Sequence, residues 1–227
     1  MKTKKRTILL SLSSLLLLAQ LTNNGVLFAK EQNQQVIEEV TEIWNERYKS
    51  KGFLFGKKPL KFLKEKINLL PRGNTFMLAM GEGRNAVYLA QQGFYVEGCD
   101  ISEAAIDKAH KLATKKGVRI NAYKADLAEY KIKPNHYDLI TCFYYLQRDI
   151  IPQIIDGLRI GGMVIFETYN IDQLTLGPDV SGPRNKDYLL KHNELLNFFK
   201  ELRIIFYEEC IIDNKKAISR IIAQKVK

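Results

Sequence analysis

Gly81 and Gly83 follow the apolar run Met77-Leu78-Ala79-Met80, and Asp100 ends a second apolar run, Phe94-Tyr95-Val96-Glu97-Gly98-Cys99. The spacing Gly81-x-Gly83-x-x-Ala86, with an acid about 20 residues on, suits a turn whose backbone approaches a ligand closely and a carboxylate that holds ribose hydroxyls. The order strand, glycine turn, helix, strand, acid points to a cofactor that contains a nucleoside. The glycines alone do not say which one, because dinucleotides and other adenosine-containing cofactors use the same geometry.

The elements that must position these residues alternate between strand and helix. Val118 to Tyr123 reads as a third strand that runs into Lys124-Ala125-Asp126-Leu127, and Asp126 is a loop acid at a carboxyl end, where ligand contacts collect. Tyr137 to Phe143 reads as a fourth strand, and the turn from Gly157 to Gly162 leads into a fifth, Met163 to Tyr169. Ser102 caps a helix that ends near Gly117, and Leu189 to Phe199 reads as another helix. Leu202 to Glu209 and Ile218 to Val226, joined by a turn at Asp213-Asn214, pair as an antiparallel hairpin. Asp138 stands at the start of its strand, the wrong end for a cofactor, and reads as structural. Such alternation specifies a parallel sheet covered on both faces.

These residues resemble the class I S-adenosylmethionine-dependent methyltransferases, and most closely the tellurite-resistance type of small methyltransferase. The resemblance runs from about Val36 to the C-terminus. It rests on Gly81-Glu82-Gly83-Arg84-Asn85, Asp100-Ile101-Ser102, Ala125-Asp126-Leu127, Tyr137-Asp138-Leu139-Ile140, Gly182-Pro183-Arg184-Asn185, Tyr188-Leu189-Leu190 and Asn193 to Leu196, with Glu167-Thr168 and Phe206 to Glu209 in support. It implies an α/β, Rossmann-like, doubly wound and mostly parallel seven-stranded sheet that a C-terminal hairpin closes. It also implies S-adenosyl-L-methionine as cofactor, bound by Gly81, Glu82, Gly83, Arg84, Asn85, Asp100, Ile101, Asp126, Leu127 and Phe143. In that set Asp126 accepts the adenine amino group and Leu127 packs on the ring. Trp44 to Tyr48 and Phe55-Gly56 resemble the N-terminal cap over the cofactor.

The sequence departs from the family pattern at two places. Met77 and Ala79 replace the acid that usually ends the first strand and the glycine two residues later. The segment after the fourth strand, Phe143-Tyr144-Tyr145-Leu146-Gln147-Arg148, lacks the histidine found in relatives. Tyr144, Tyr145, Arg148 and Arg184 are the candidates for the acceptor side, since they fall on loops at the carboxyl edge. With neither acid nor histidine in that segment, the acceptor is expected to supply its own lone pair. A small, soft, often anionic nucleophile such as a thiolate or a reduced chalcogen oxyanion fits.

Composition excludes several other chemistries. Cys99, Cys142 and Cys210 fall one per expected strand and lack paired spacing, and His110, His136 and His192 are scattered, so neither a disulfide framework nor a metal site is expected. Four of the basic residues behind the net charge of +10 lie within residues 1–29, which hold no acid, leaving +6 on the rest. The remaining lysines are dispersed without a basic, aromatic-interleaved stripe, so a nucleic-acid partner is not expected. A nicotinamide-dependent oxidoreductase is the alternative enzyme, but no stretch remains for its substrate domain. An exported binding protein retaining the fold is the non-catalytic alternative.

Lys4-Lys5-Arg6, the apolar run Ile8 to Ala19, polar Thr22 to Gly25 and a final Ala29 have the layout of a signal peptide. Residues 1–29 therefore read as a signal peptide or membrane anchor and 30–227 as the methyltransferase domain, exported or tethered, with a cytoplasmic protein as the alternative. Val36, Ile37, Val40, Ile43 and Trp44 recur at helical spacing, so residues 33–48 are expected to form an amphipathic helix packed on the sheet.

Overall fold

In a computed structural model that describes residues 23–227, with side-chain surroundings from residue 34, the strands take the order β3-β2-β1-β4-β5-β7-β6 in one seven-stranded sheet. The strands are β1 (Asn74–Leu78), β2 (Tyr95–Asp100), β3 (Asn121–Lys124), β4 (Tyr137–Phe143), β5 (Leu158–Tyr169), β6 (Arg203–Ile212) and β7 (Lys216–Gln224). The first five pair in parallel, and β7 is antiparallel to both β5 and β6. Chain order reverses between β1 and β4. At such a switch point the loops leaving adjacent strands diverge and open a crevice at their carboxyl ends.

Successive residues of the central strands bury themselves on opposite faces, which is why the strands read as continuous apolar runs. Phe76, Leu78, Ile140, Val164, Phe166 and Ile221 pack in one core cluster, while Met77, Leu139, Ile165 and Ile222 pack in the other. Removing a side chain such as Phe166 from water stabilises the fold by roughly 1.5–3 kcal/mol. Asp138 serves the opposite edge. It accepts the Asn74 N–H at 2.7 Å and lies 3.4 Å from Arg159, tying β1, β4 and β5 together at their amino ends.

The helices are α1 (Asn23–Lys49), α2 (Lys61–Lys66), α3 (Arg84–Gln91), α4 (Glu103–Lys115), α5 (Ile151–Gly157) and α6 (Glu194–Phe198). Ser102 caps α4 by accepting the Ala105 N–H at 3.2 Å. Val118 donates back to Ala113 as part of the end of α4, so β3 starts three residues later than its apolar pattern suggests. β5 starts earlier than expected, at Leu158, because the strand runs through Gly161-Gly162. The helix expected from Leu189 is short. Leu190 donates to Tyr169 and bridges Asn170, and Asn193 takes φ 60°, so helical geometry begins only at Glu194. Asp213 and Asn214, at φ 51° and 55°, form the expected hairpin turn, the type whose twist matches the flanking strands.

The chain divides into a unit ending at Trp44 and a unit from Asn45 to Lys227. Of the expected signal segment, residues 1–22 lie outside the described residues, and 23–29 belong to α1. Val36, Val40 and Ile43 are exposed rather than buried. Among the described residues no helix is long and apolar enough to cross a membrane.

Candidate active site

The loop after β1 is built from left-handed residues: Ala79 at φ 46°, Gly81 at 55° and Gly83 at 80°. The two glycines are needed for different reasons. A Cβ on Gly83 would lie 2.7 Å from Ala109 Cβ, so Gly83 lets α3 pack closely on α4, whereas one on Gly81 would meet only the Tyr48 hydroxyl at 3.0 Å. Gly81 is therefore the point of close approach.

Asp100 sits beneath that loop, almost fully buried. Its Oδ2 accepts the Gly81 N–H at 2.8 Å and its Oδ1 accepts the Ser102 N–H at 3.0 Å. Burial raises its pKa, and hydrogen bonds from Ser102, Gly81 and Ile101 act against that rise. Each oxygen keeps a further lone pair for a ligand hydroxyl. Asp126, at the carboxyl end of β3, accepts the Ala128 N–H at 2.9 Å through Oδ1, while its Oδ2 is buried with no hydrogen-bond partner. Leu127 beside it is buried and Phe143 nearly so. An orphaned buried carboxylate oxygen costs free energy until a donor reaches it.

Three residues of the glycine motif hold the segment over the loop. Glu82, 3% exposed in its side chain, pairs with Lys108 at 2.9 Å, and Lys108 also donates to the carbonyls of Ser50 and Gly52. Asn85 accepts the Leu60 N–H at 2.9 Å, and Arg84 donates to the Phe55 carbonyl at 2.6 Å while lying over the Phe55 ring. Tyr48 meets Phe55 edge-on, and its hydroxyl pKa is raised by burial and by the charges of Asp100 and Glu82.

The acceptor-side candidates separate into two groups. Arg148 is committed to Glu194 at 2.7 Å and to the carbonyls of Asp187 and Leu189. Arg184 donates to the carbonyls of Gln173, Leu176 and Gly177, closing the loop that contains it, and Tyr145 donates to Gln147. Tyr144 differs. At φ 58° it turns beside the end of β5, with its ring 5.1 Å from Tyr169 and under the Lys216 ammonium at 4.8 Å.

A model of a methyltransferase domain matches residues 76–162, from β1 into β5. The chain is 28% identical over 140 residues to the probable S-adenosyl-L-methionine-dependent methyltransferase TehB of Haemophilus influenzae, covering 58% of this chain and 46% of that protein. It is also 28% identical over 147 residues to a ubiquinone biosynthesis O-methyltransferase of Coxiella burnetii, covering 62% of each. The structure of TehB from Haemophilus influenzae superposes with a TM-score of 0.62 at 19% identity, over 82% of this chain and 66% of that one. The chain is thus similar to methyltransferases over residues 76–162, and it has the fold of the TehB structure. It spans about half the length of TehB and less than two thirds of the O-methyltransferase.

S-adenosyl-L-methionine is the cofactor named for the TehB relative. The residues present fit it: the orphaned Asp126 Oδ2 meets the need of an amino group, and the spare lone pairs of Asp100 meet those of two hydroxyls. The N-terminus of α3, with no side-chain cap, offers backbone N–H groups for a carboxylate. Met77, at the end of β1, is buried in the core and cannot accept a hydrogen bond as a carboxylate does. A cleft of about 400 Å³ lies at the opposite edge, lined by the first residues of β1 to β4 such as Asn74, Tyr95, Asn121 and Tyr137. It is remote from the carboxyl ends that carry the chemistry.

The sequence pattern did not place Glu167 or Lys216 in the site, whereas Tyr48 belonged to the segment that resembles the cofactor cap. Glu167 carried a signal, since Glu167-Thr168 belonged to the resemblance. Lys216 carried none, because only β5–β7 pairing brings the hairpin beside Tyr144.

Proposed function

We propose that the protein transfers the methyl group of S-adenosylmethionine to a small, soft nucleophile. The observation that carries the acceptor class is the corner made by Tyr144, Tyr169 and Lys216 at the ends of β4 and β5. It combines polarizable ring faces with an ammonium group, and suits a compact acceptor carrying or developing negative charge. The names of the relatives, a TehB methyltransferase and a ubiquinone biosynthesis O-methyltransferase, are consistent with a small molecule.

The sulfonium supplies an activated methyl group, so positioning for in-line displacement lowers the barrier. Asp100 holds the ribose hydroxyls, Asp126 Oδ2 accepts from the adenine amino group, and Leu127 packs against the ring. The N-terminus of α3 receives the methionine carboxylate, and Tyr48 and Phe55 exclude water above Gly81. Calorimetry comparing S-adenosylhomocysteine with NAD tests the cofactor, with binding of the former alone expected. Labelled S-adenosylmethionine offered with thiols, selenite and tellurite against catechols and amines tests the acceptor. Exclusive transfer to oxygen or amide nitrogen overturns the soft-nucleophile reading.

We also propose that residues 1–29 direct the protein out of the cytoplasm, on the basic flank, apolar core and polar exit of that segment. Mass spectrometry of the natural protein should find a new N-terminus near Lys30. An intact Met1 on a cytosolic protein refutes export.

A further inference from the structure

Glu167 is a buried acid at the acceptor end of the sheet without a hydrogen-bond donor for one of its oxygens. It stands opposite Phe143 in the β4–β5 register, its side chain is 3% exposed, and its Oε2 is buried and unpartnered. The nearest cation to that oxygen is Arg220 Nη1 at 3.8 Å, too long for a hydrogen bond, and Arg220 is already bound to Glu208 through Nε at 2.6 Å. Tyr144, whose own N–H donates to the Glu167 carbonyl at 2.8 Å, sits beside it and lowers the carboxyl pKa.

We propose that Glu167 is the general base of an acceptor subsite for a protonated thiol, with Tyr144 and Lys216 beside the sulfur as its proton leaves. The inference rests on the methyltransferase reading above and narrows its acceptor. Glu167 Oε2 takes the S–H proton as the sulfur lone pair forms the new S–CH₃ bond. The methyl–sulfonium bond breaks, its electron pair stays on the cofactor sulfur, and the proton leaves for solvent from Glu167. Charge and atoms balance without any other reactant. An oxyanion such as selenite brings no proton that must be removed, so its methylation does not call on Glu167.

The groups facing Glu167 come from four elements: Tyr144 after β4, Tyr169 on β5, Lys216 and Arg220 on β7, and Arg84 on α3. Cys210 on β6 also feels its charge. Burial raises the carboxyl above its ordinary range, while Tyr144, Arg220, Lys216 and Arg84 pull the other way. A carboxylate so placed is a stronger base than a solvated one.

The test compares an aliphatic thiol, protonated at neutral pH, with an aromatic thiol that is already ionised, using the full chain and labelled S-adenosylmethionine. Glu167→Gln should lower kcat on the aliphatic thiol by about 100-fold, the scale of general-base catalysis, and on the aromatic thiol by less than about fivefold. Calorimetric affinity for S-adenosylhomocysteine should stay unchanged. Equal losses on both thiols, or no loss on either, overturn the proposal. If Glu167→Gln does not fold, the wild-type pH profile decides: kcat/KM for the aliphatic thiol should rise with an ionisation well below that of the thiol. A rate that follows the thiol's own ionisation overturns the role of Glu167. A chain that binds S-adenosylhomocysteine but methylates neither thiol overturns the acceptor class, whereas one that binds none overturns the cofactor reading itself.

Discussion

The Gly81 N–H donates to Asp100 Oδ2 at 2.8 Å, so the turn glycine after β1 and the buried carboxylate that ends β2 are one hydrogen-bonded unit. Asp100 thus shapes the glycine loop in addition to the ribose-holding role proposed for it. Asp100→Asn keeps the side chain's size but sets an amide NH2 against the Gly81 or Ser102 N–H, and it removes the charge that strengthens hydroxyl donation. It should weaken S-adenosylhomocysteine by at least about tenfold, or roughly 1.4 kcal/mol, in calorimetry. Unchanged affinity would remove Asp100 from the site.

Ala79 occupies a backbone conformation that glycine tolerates and alanine resists. Its φ is 46°, and a left-handed alanine costs roughly 1–2 kcal/mol. Ala79→Gly should therefore raise the urea midpoint, with a net gain of about 1 kcal/mol after the larger chain entropy of glycine is counted. A lower midpoint would show that the methyl packs well enough to outweigh the strain.

Much of this arrangement could be read in advance because it is written locally. The strand-to-strand order from Met77 to Asp100, the Ser102 cap and the Asp213-Asn214 turn each need only their own neighbours. The acceptor corner is different, since β7 must return antiparallel to β5 before Lys216 reaches Tyr144. Arg148 and Arg184 read as cations available to an acceptor for the same reason: the carbonyls that engage them belong to loop folds that periodicity does not describe. Exposure of Val36, Val40 and Ile43 likewise had no local signature, because a 3.6-residue apolar period describes a face and not what covers it.

Gly83 and Gly81 should respond differently to a single methyl group. At Gly83 the added Cβ meets Ala109 Cβ at 2.7 Å and its Cα at 3.0 Å, and φ is 80°. Gly83→Ala should lose about 2–3 kcal/mol of stability from overpacking and backbone strain. At Gly81 the methyl meets only the Tyr48 hydroxyl, so Gly81→Ala should cost about 1–2 kcal/mol and fall mainly on cofactor affinity. Urea midpoints and calorimetry on both variants check the order. Equal loss of stability would show that Gly81 is no more a contact point than Gly83.

Glu167 also makes a pH-dependent contribution to folding, separate from any role in catalysis. Its carboxyl pKa is raised in the folded state, mainly by burial, so the folded protein holds this proton more tightly than the unfolded chain does. The associated stability is fully present below the ordinary carboxylate range and is lost as pH rises through the raised value. Glu167→Gln cannot lose it. The stability of the variant relative to the parent should therefore improve between about pH 4 and about pH 8. Asp100, raised by burial as well, is common to both proteins and does not enter the difference to first order. Paired urea titrations at the two pH values measure it. A difference that does not change, or moves toward the parent, would mean that Tyr144, Lys216, Arg220 and Arg84 together outweigh burial and that Glu167 folds as a stabilised anion.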